Sequence, residues 1–79
     1  MTYIDVRTQE EYLLEHVPGA INHDIMKLFE GNFPDLPKDS EITVYCQSGS
    51  RSGMAKSILE QNGFTTVTDG GGIRNLLKK

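Results

Sequence analysis

The chain's only cysteine begins a segment whose residue types suit the chemistry of a reactive thiol. The segment reads Cys46, Gln47, Ser48, Gly49, Ser50 and Arg51, and a helix is predicted to follow it. Because serine and glycine are small, the backbone can curl until several N–H groups point at one centre, and the N-terminus of the helix adds further donors. Such donors stabilise a thiolate, so we expect the pKa of Cys46 to lie below that of a free cysteine.

Arg51 adds a fixed positive charge to the same segment. A guanidinium is suited to oxyanions, so the thiolate and the cation together predict a receptor for a small, doubly charged substrate. The alternative is that Cys46 is a packing residue at the end of a buried strand, since free cysteine is among the most buried residue types. A packing residue does not require the glycine, serines and arginine that follow it, and the segment therefore favours a reactive thiol.

Strands alternate with helices along the chain. Residues rich in β-branched and aromatic side chains predict strands at 2–6, 20–22, 41–46 and 64–68. Helices are predicted at 9–16, 52–62 and 73–78, with a helical turn or two at 25–29. This alternation predicts an α/β fold with a parallel sheet and helices on both of its faces. Ligands of such sheets bind at the carboxyl ends of the strands, and Cys46 lies at the end of one.

The start of the first helix is marked by Thr8 and Glu11, which have the spacing of a capping box. Tyr12 and Leu13 are predicted to face the core from this helix. Asp5 and Arg7 could lie near the thiol, because the first strand should neighbour the strand that ends at Cys46. The favoured alternative is a structural role, in which Arg7 forms an ion pair with a carboxylate early in the helix, such as Glu11. His16 precedes a turn, and we expect it to be structural too, because a thiolate held by N–H donors requires no general base.

Further sequence signals of local structure lie within and after the helix predicted at 52–62. Gly63 lies where a left-handed residue commonly ends a helix. Residues 69–72 hold a run of glycines and predict a turn. The buried face of the helix is predicted to consist of Met54, Ala55, Ile58 and Leu59.

Composition narrows the functions that the chain can have. Its 79 residues fit one domain, and a formal net charge of −3 with a pI near 5.2 argues against nucleic acid as a partner. No apolar run reaches the length of a membrane span, about 18 residues, and the first residues lack the apolar segment of a signal peptide. The sequence as given therefore predicts a cytoplasmic protein with no membrane partner, or a periplasmic one if a signal peptide has been removed. One cysteine and two histidines predict no disulfide, no metal site and no cofactor.

Parts of the chain resemble, in the same order, the signatures of the single-domain members of the rhodanese, or thiosulfate sulfurtransferase, family. Residues 4–7 (Ile-Asp-Val-Arg) are similar to an early Asp-x-Arg signature, and residues 15–22 are similar to the second signature. Residues 44–52 match the family's active-site loop, and residues 69–71 (Asp-Gly-Gly) match the glycine turn after the last strand. The resemblance covers nearly the whole chain.

The resemblance implies a rhodanese-like three-layer fold with helices on both faces of a small, mainly parallel sheet. The spatial order of its strands should be fourth, third, first, second, so that the strand at 64–68 forms an open edge. It also implies that residues 1–79 form a single, minimal domain, without the strand and helix with which many family members begin.

The resemblance also implies a reaction, the transfer of sulfur through a persulfide on Cys46. The implied donor is a small anion such as thiosulfate, or a persulfide, and the implied acceptor is cyanide or a thiol. A protein donor or acceptor is a further option. Gln47 departs from the family, whose members often have Arg or Lys directly after the cysteine. The implied substrate-binding residues are Gln47, Ser48, Gly49, Ser50, Arg51 and Ser52.

Two other kinds of function stay open on the sequence alone. A cysteine phosphatase also places a thiolate and an arginine around a ring of N–H groups, but its loop has one residue more than separates Cys46 from Arg51. The second kind of function is that of a non-enzymatic persulfide carrier or a rhodanese-like interaction module. The presence of both Cys46 and Arg51 argues against a purely structural module, whereas a carrier loaded by a protein donor fits the same residues.

Overall fold

A small parallel sheet lies at the centre of the computed structural model, which describes residues 1–77. Along the chain the elements are β1 (Thr2–Asp5), α1 (Gln9–Leu14), β2 (Ile21–Asn22), α2 (Ile25–Phe29), β3 (Ile42–Cys46), α3 (Ser50–Gln61), β4 (Val67–Gly72) and α4 (Ile73–Leu77). No helix within residues 1–77 is long and apolar enough to cross a membrane. The predicted end of the last helix, Lys78, lies outside the described residues.

The order of the four strands is β2-β1-β3-β4, and every neighbouring pair is parallel. This confirms the predicted α/β class and the predicted order of the strands, with β4 at one edge. β3 pairs with β1 from Ile42 to Tyr45 and with β4 from Ile42 to Cys46. Cys46 therefore lies at the carboxyl end of a central strand, as expected.

Alternating side chains of β3 supply both cores. Ile42, Val44 and Cys46 point into one cluster, which α2 and α3 cover, whereas Tyr45 belongs to a second cluster on the other face, with Ile73 of α4. All residues of β3 are buried. Because each buried aliphatic side chain contributes about 1.5–3 kcal/mol, this strand anchors the cysteine firmly. The two clusters confirm the three-layer arrangement.

α1 begins with the predicted capping box. The Thr8 side chain accepts a hydrogen bond from the Glu11 N–H, and a Glu11 carboxylate oxygen accepts one from the Thr8 N–H. The helix ends at Leu14 rather than at residue 16, because the backbone of Glu15 is extended. The prediction that Leu13 faces the core was wrong, since its side chain is 69% exposed. Tyr12 alone of the predicted pair packs on the core, with its hydroxyl bound to the Ala20 carbonyl.

α3 begins at Ser50, two residues earlier than predicted, so the last residues of the predicted loop form its first turn. Its buried residues are Ser52, Ala55 and Leu59. Met54 is 48% exposed, which contradicts its predicted place on the buried face. The helix ends as predicted, with Gly63 in the left-handed region at φ +96°.

β4 differs most from its prediction. The strand begins at Val67 rather than at residue 64 and continues through the glycines of residues 69–72, where a turn was predicted. A Cβ atom on Gly70 would lie 2.8 Å from Thr43 Cγ2, and one on Gly72 would lie 2.9 Å from the Gln47 carbonyl. Both glycines therefore permit close approach of this strand to β3 and to the segment from Cys46 to Arg51, here called the cysteine loop.

Candidate active site

The sulfur of Cys46 is fully buried under backbone N–H groups of the segment that follows it. Its Sγ atom accepts hydrogen bonds from the Gly49 N–H at 3.0 Å and from the Ser52 N–H at 3.3 Å. A helix leaves the N–H groups of its first turn without partners, and a capping side chain commonly accepts from one of them. Gly49 is the N-cap of α3 and has no side chain to do so. The cysteine sulfur therefore serves as the acceptor for the start of α3.

The conformation of Gly49 makes this arrangement possible. Its φ angle is +102°, in the left-handed region that costs other residues about 1–2 kcal/mol. A Cβ atom there would meet only Gly71 and Gly72 backbone atoms, at 3.6 Å or more. The backbone angle, and not the lack of space, therefore explains the glycine.

Two opposing effects act on the pKa of Cys46. Burial raises it, because desolvation disfavours the charged thiolate. The N–H groups of Ser52 and Gly49, with smaller contributions from the Ser52 hydroxyl and the Ser48 backbone, lower it by more in total. The net result is a lowered pKa, in the direction that the sequence predicts.

Arg51 lies in the first turn of α3, half-buried, and is paired with Glu11 of α1. Nη1 of Arg51 is 2.9 Å from one carboxylate oxygen of Glu11, and Nη2 is 3.1 Å from the other. The loop itself contains no carboxylate, and this one comes from α1. The hydrogen bonds between Arg51 and Glu11 hold the pKa of Glu11 down at about 2 and raise the pKa of Arg51, to which the charge on Cys46 adds a smaller contribution. Arg51 directly precedes Ser52, whose N–H donates to the sulfur.

Arg7 pairs with Asp5 and not with Glu11, which corrects the partner that the sequence predicted for it. The pair is buried, with Arg7 Nη2 at 2.7 Å from Asp5 Oδ2. Nη1 of Arg7 extends to the loop, where it donates to Gln47 Oε1 at 2.9 Å. The ion pair is structural, as predicted, but it also positions Gln47.

Ser48 and Ser50 are exposed at the rim of the loop, as is Gln47. The structure therefore brings the sequence-predicted residues together in two groups. Gly49 and Ser52 face the sulfur with their N–H groups, whereas Gln47, Ser48 and Ser50 are exposed to solvent.

Asp69 belongs to the site although sequence reasoning gave it no role. Its Oδ1 atom lies 2.6 Å from the Ser52 hydroxyl and accepts a hydrogen bond from the Gly71 N–H at 2.9 Å. An aspartate that binds the N–H two residues later is a common turn-forming signal, and that spacing was visible in the sequence. The carboxylate ties the first turn of α3 to β4.

His16 does not contact the cysteine loop. Its Nδ1 atom lies 2.9 Å from the Tyr12 carbonyl oxygen, and its ring stacks on the Tyr12 ring with the centroids 3.9 Å apart. These contacts agree with the structural role expected for it.

An open groove of about 420 Å³ lies apart from the cysteine, against α1, β2 and α2. Its lining comes from these elements and not from the cysteine loop: Gln9, Tyr12, Leu13, Asn22, Asp24 and Lys27. The chemistry of the loop, rather than the size of the groove, identifies the candidate site.

Comparison with known proteins gives consistent results. Residues 1–75 match the family described as the Rhodanese-like domain. Thiosulfate sulfurtransferase PspE of Escherichia coli K12 is 41% identical over 75 residues, which cover 94% of this chain and 72% of that protein. Adenylyltransferase and sulfurtransferase uba4 of Ogataea parapolymorpha is 33% identical over 66 residues, 84% of this chain but only 17% of that longer protein.

Solved structures agree with this assignment. A structure described as a rhodanese with anions from E. coli superposes with a TM-score of 0.82 and 38% identity, covering 99% of this chain and 93% of that one. The human single-domain sulfurtransferase TSTD1 has a TM-score of 0.85 over 99% of this chain and 81% of that one, and at 24% identity it supports the fold alone. The chain belongs to the family of rhodanese-like domains and is a sulfurtransferase.

Proposed function

We propose that this sulfurtransferase moves a sulfane sulfur from thiosulfate or a persulfide donor to cyanide or a thiol, through a persulfide on Cys46. The Cys46 thiolate attacks the outer sulfur of the donor. The S–S bond of the donor breaks, and sulfite or a thiolate leaves with the electron pair. The acceptor then attacks the outer sulfur of the Cys46 persulfide and regenerates the thiolate in a two-step cycle.

One observation carries the proposal, namely that the sulfur accepts hydrogen bonds from the N–H groups of Gly49 and Ser52 at the start of α3. These donors stabilise the anionic form, which is the nucleophile, and the positive end of the helix dipole acts in the same direction. Because they are fixed by the backbone, they require little reorganisation when charge moves onto or off the sulfur. The same donors suit the anionic persulfide.

The residues proposed to bind the donor and the persulfide are those from Gln47 to Ser52. Gln47, Ser48 and Ser50 are exposed around the buried sulfur, so a donor approaching from solvent meets them first. Arg51 lies in the first turn of α3, directly before Ser52, and its proposed role is to favour the thiolate through its positive charge. The comparisons support an anionic donor, since PspE is named a thiosulfate sulfurtransferase and a structure of an E. coli rhodanese is described with anions.

Intact mass spectrometry tests the proposal. After exposure to thiosulfate or to a thiol persulfide, the protein should gain the mass of one sulfur atom, and subsequent cyanide should remove it and release thiocyanate. Cys46→Ser should gain nothing while it keeps its fold, because a serine hydroxyl cannot hold a persulfide. A wild-type protein that gains no sulfur from either donor would contradict the proposal. Repeated turnover with excess donor and cyanide separates an enzyme from a carrier that is loaded only once.

A further inference from the structure

The positive charge of Arg51, in the first turn of α3, is neutralised by Glu11 of α1. Both Nη atoms of Arg51 bind Glu11, at 2.9 and 3.1 Å, and the two side chains are each 30% exposed. A bidentate pair of this kind is the strongest form of ion pair between such groups. Oε1 of Glu11, which accepts from Arg51 Nη1, also accepts from the Thr8 N–H and hydroxyl. The carboxylate is therefore fixed by contacts with two residues.

Arg7 is likewise already paired. Asp5 binds its Nε and Nη2 atoms in the buried core, and Gln47, its contact in the loop, is uncharged. The two arginines and the two carboxylates sum to zero charge. The site thus offers N–H donors to an anion, but the arginines add no net positive charge.

We propose that Glu11 is a specificity-determining residue, which disfavours a doubly charged donor such as thiosulfate relative to singly charged sulfane donors. This inference rests on the proposed persulfide chemistry at Cys46. Arg51 directly precedes Ser52, whose N–H donates to the sulfur, so the Glu11–Arg51 pair lies beside the turn that holds the sulfur. Repulsion of an anionic donor by the Glu11 carboxylate grows in proportion to the charge of that donor. Because the pKa of Glu11 is about 2, the carboxylate is ionised at any ordinary working pH.

Glu11→Gln changes this charge with little change in structure. A glutamine at the third position of a helix satisfies a capping box as glutamate does. Its amide oxygen can still accept from Arg51, so the side chain of Arg51 keeps one of its two contacts. The variant therefore removes one negative charge from beside the loop while α1 stays capped, and thermal unfolding verifies its fold.

Thiosulfate and methanethiosulfonate form a matched pair of donors, because a methyl group in the second replaces one charged oxygen of the first. With thiosulfate, Cys46–S⁻ and S–SO₃²⁻ give Cys46–S–S⁻ and SO₃²⁻, so the donor S–S bond breaks and sulfite keeps its electron pair. With methanethiosulfonate, the same attack gives Cys46–S–S⁻ and methanesulfinate. Each step conserves charge and atoms, and neither requires an oxidant or a reductant.

The experiment measures the second-order rate of sulfur loading on Cys46 at low ionic strength, by intact mass, for both donors. Removal of the Glu11 charge, which acts through solvent, should raise the loading rate by about threefold with the singly charged donor and by about tenfold with the doubly charged one. The repulsion energy doubles with the charge of the donor, so the rate factor is squared. Salt at about 0.15 M should shrink both changes.

Glu60→Gln is the matched control. Glu60 also forms an ion pair, with Lys56 at 2.8 Å, but it lies near the far end of α3. The ten residue steps from Ser50 to Glu60 span about 15 Å of helix. This variant has the same net charge as Glu11→Gln and should leave the preference between the donors unchanged.

The inference is overturned if Glu11→Gln changes the loading rates of both donors by the same factor. It is also overturned if Glu60→Gln shifts the preference between the donors as much as Glu11→Gln does. In both cases the wild-type protein still gains sulfur, so the proposed function stands. A wild-type protein that gains no sulfur from either donor overturns the proposed function instead.

Discussion

The hydroxyl oxygen of Ser52 lies 2.6 Å from Oδ1 of Asp69, while the backbone N–H of Ser52 donates to the sulfur of Cys46. One residue of α3 therefore joins the reactive sulfur to the edge strand β4. The hydroxyl also lies 2.9 Å from the Gly49 carbonyl oxygen, but its single proton serves one acceptor at a time, and a carboxylate is the stronger of the two. The Asp69 contact thus fixes the turn of helix on which the thiolate depends.

A double-mutant cycle measures this contact. Ser52→Ala and Asp69→Ala should each lower the free energy of unfolding by about 1–2 kcal/mol, and the double variant should lose about 1 kcal/mol less than the sum. The exposed pair Lys56–Glu60 serves as the control cycle, with an expected coupling of about 0.3–0.5 kcal/mol. Urea unfolding supplies all values. Additive losses at Ser52 and Asp69 would show that the hydroxyl and the carboxylate do not act together.

Gly49→Ala should destabilise the protein by about 1–2 kcal/mol, because φ at this position is +102°. The strain should also disturb the N–H donor to the sulfur, so the pKa of Cys46 should rise. Gly53→Ala is the control within the same helix. A Cβ atom there would meet only Asp69 Oδ2, at an ordinary 3.6 Å, and alanine should stabilise the helix by up to about 1 kcal/mol. Thermal unfolding of the two variants should therefore shift in opposite directions, and a shared direction would contradict the account of Gly49.

Alkylation of the sulfur-free protein by a small neutral reagent reports the pKa of Cys46. Burial raises this pKa, but the N–H groups of Ser52 and Gly49 outweigh it, so the midpoint should lie below the ordinary value of about 8.5. A midpoint at or above that value would mean that the loop does not stabilise the thiolate.

The same shift predicts how stability depends on pH. A lowered pKa in the folded state means that the thiolate contributes its stability in full above the unfolded value of about 8.5, and that this contribution is lost as the pH falls through the folded pKa. Urea unfolding across this range should therefore show a rise in stability with pH that Cys46→Ser lacks. A rise of equal size in both proteins would assign it to another group.

The position of the thiol could be predicted from the sequence because local signals sufficed. A β-branched run ends at Cys46, small residues follow, and a helix begins, and this order places the sulfur at the carboxyl end of a strand. The central position of that strand followed from the family resemblance instead. The capping box of Thr8 and Glu11 was equally local, with both residues within one turn. Each of these features depends on neighbours in the chain.

The partners of the charged residues could not be predicted in the same way. Glu11 and Arg51 are 40 positions apart, and their contact depends on how α1 sits over the start of α3. The spacing of Thr8 and Glu11 predicted the capping box, but it did not indicate that Glu11 has a second partner. The prediction of a turn at the glycines of β4 was wrong because a tight turn and close approach to a neighbouring strand both favour glycine. The sequence alone does not distinguish the two.

Arg51→Ala tests the remaining half of the ion pair, and it should slow loading by thiosulfate more than loading by methanethiosulfonate. Loss of a charge-assisted hydrogen bond to the dianion corresponds to about 1.5–3 kcal/mol, or roughly ten- to a hundredfold in rate. It also leaves the Glu11 carboxylate unpaired beside the loop, and the pKa of Glu11 should rise from about 2 towards its ordinary value.

The double variant Glu11→Gln with Arg51→Ala separates these two effects. Because it removes the unpaired carboxylate, it should recover part of the thiosulfate rate that Arg51→Ala loses. Stopped-flow or quenched loading, read by intact mass, measures all four proteins with both donors. If the double variant is as slow as Arg51→Ala with thiosulfate, repulsion by Glu11 plays no part. If Arg51→Ala slows both donors equally, Arg51 positions the loop without recognising the charge of the donor.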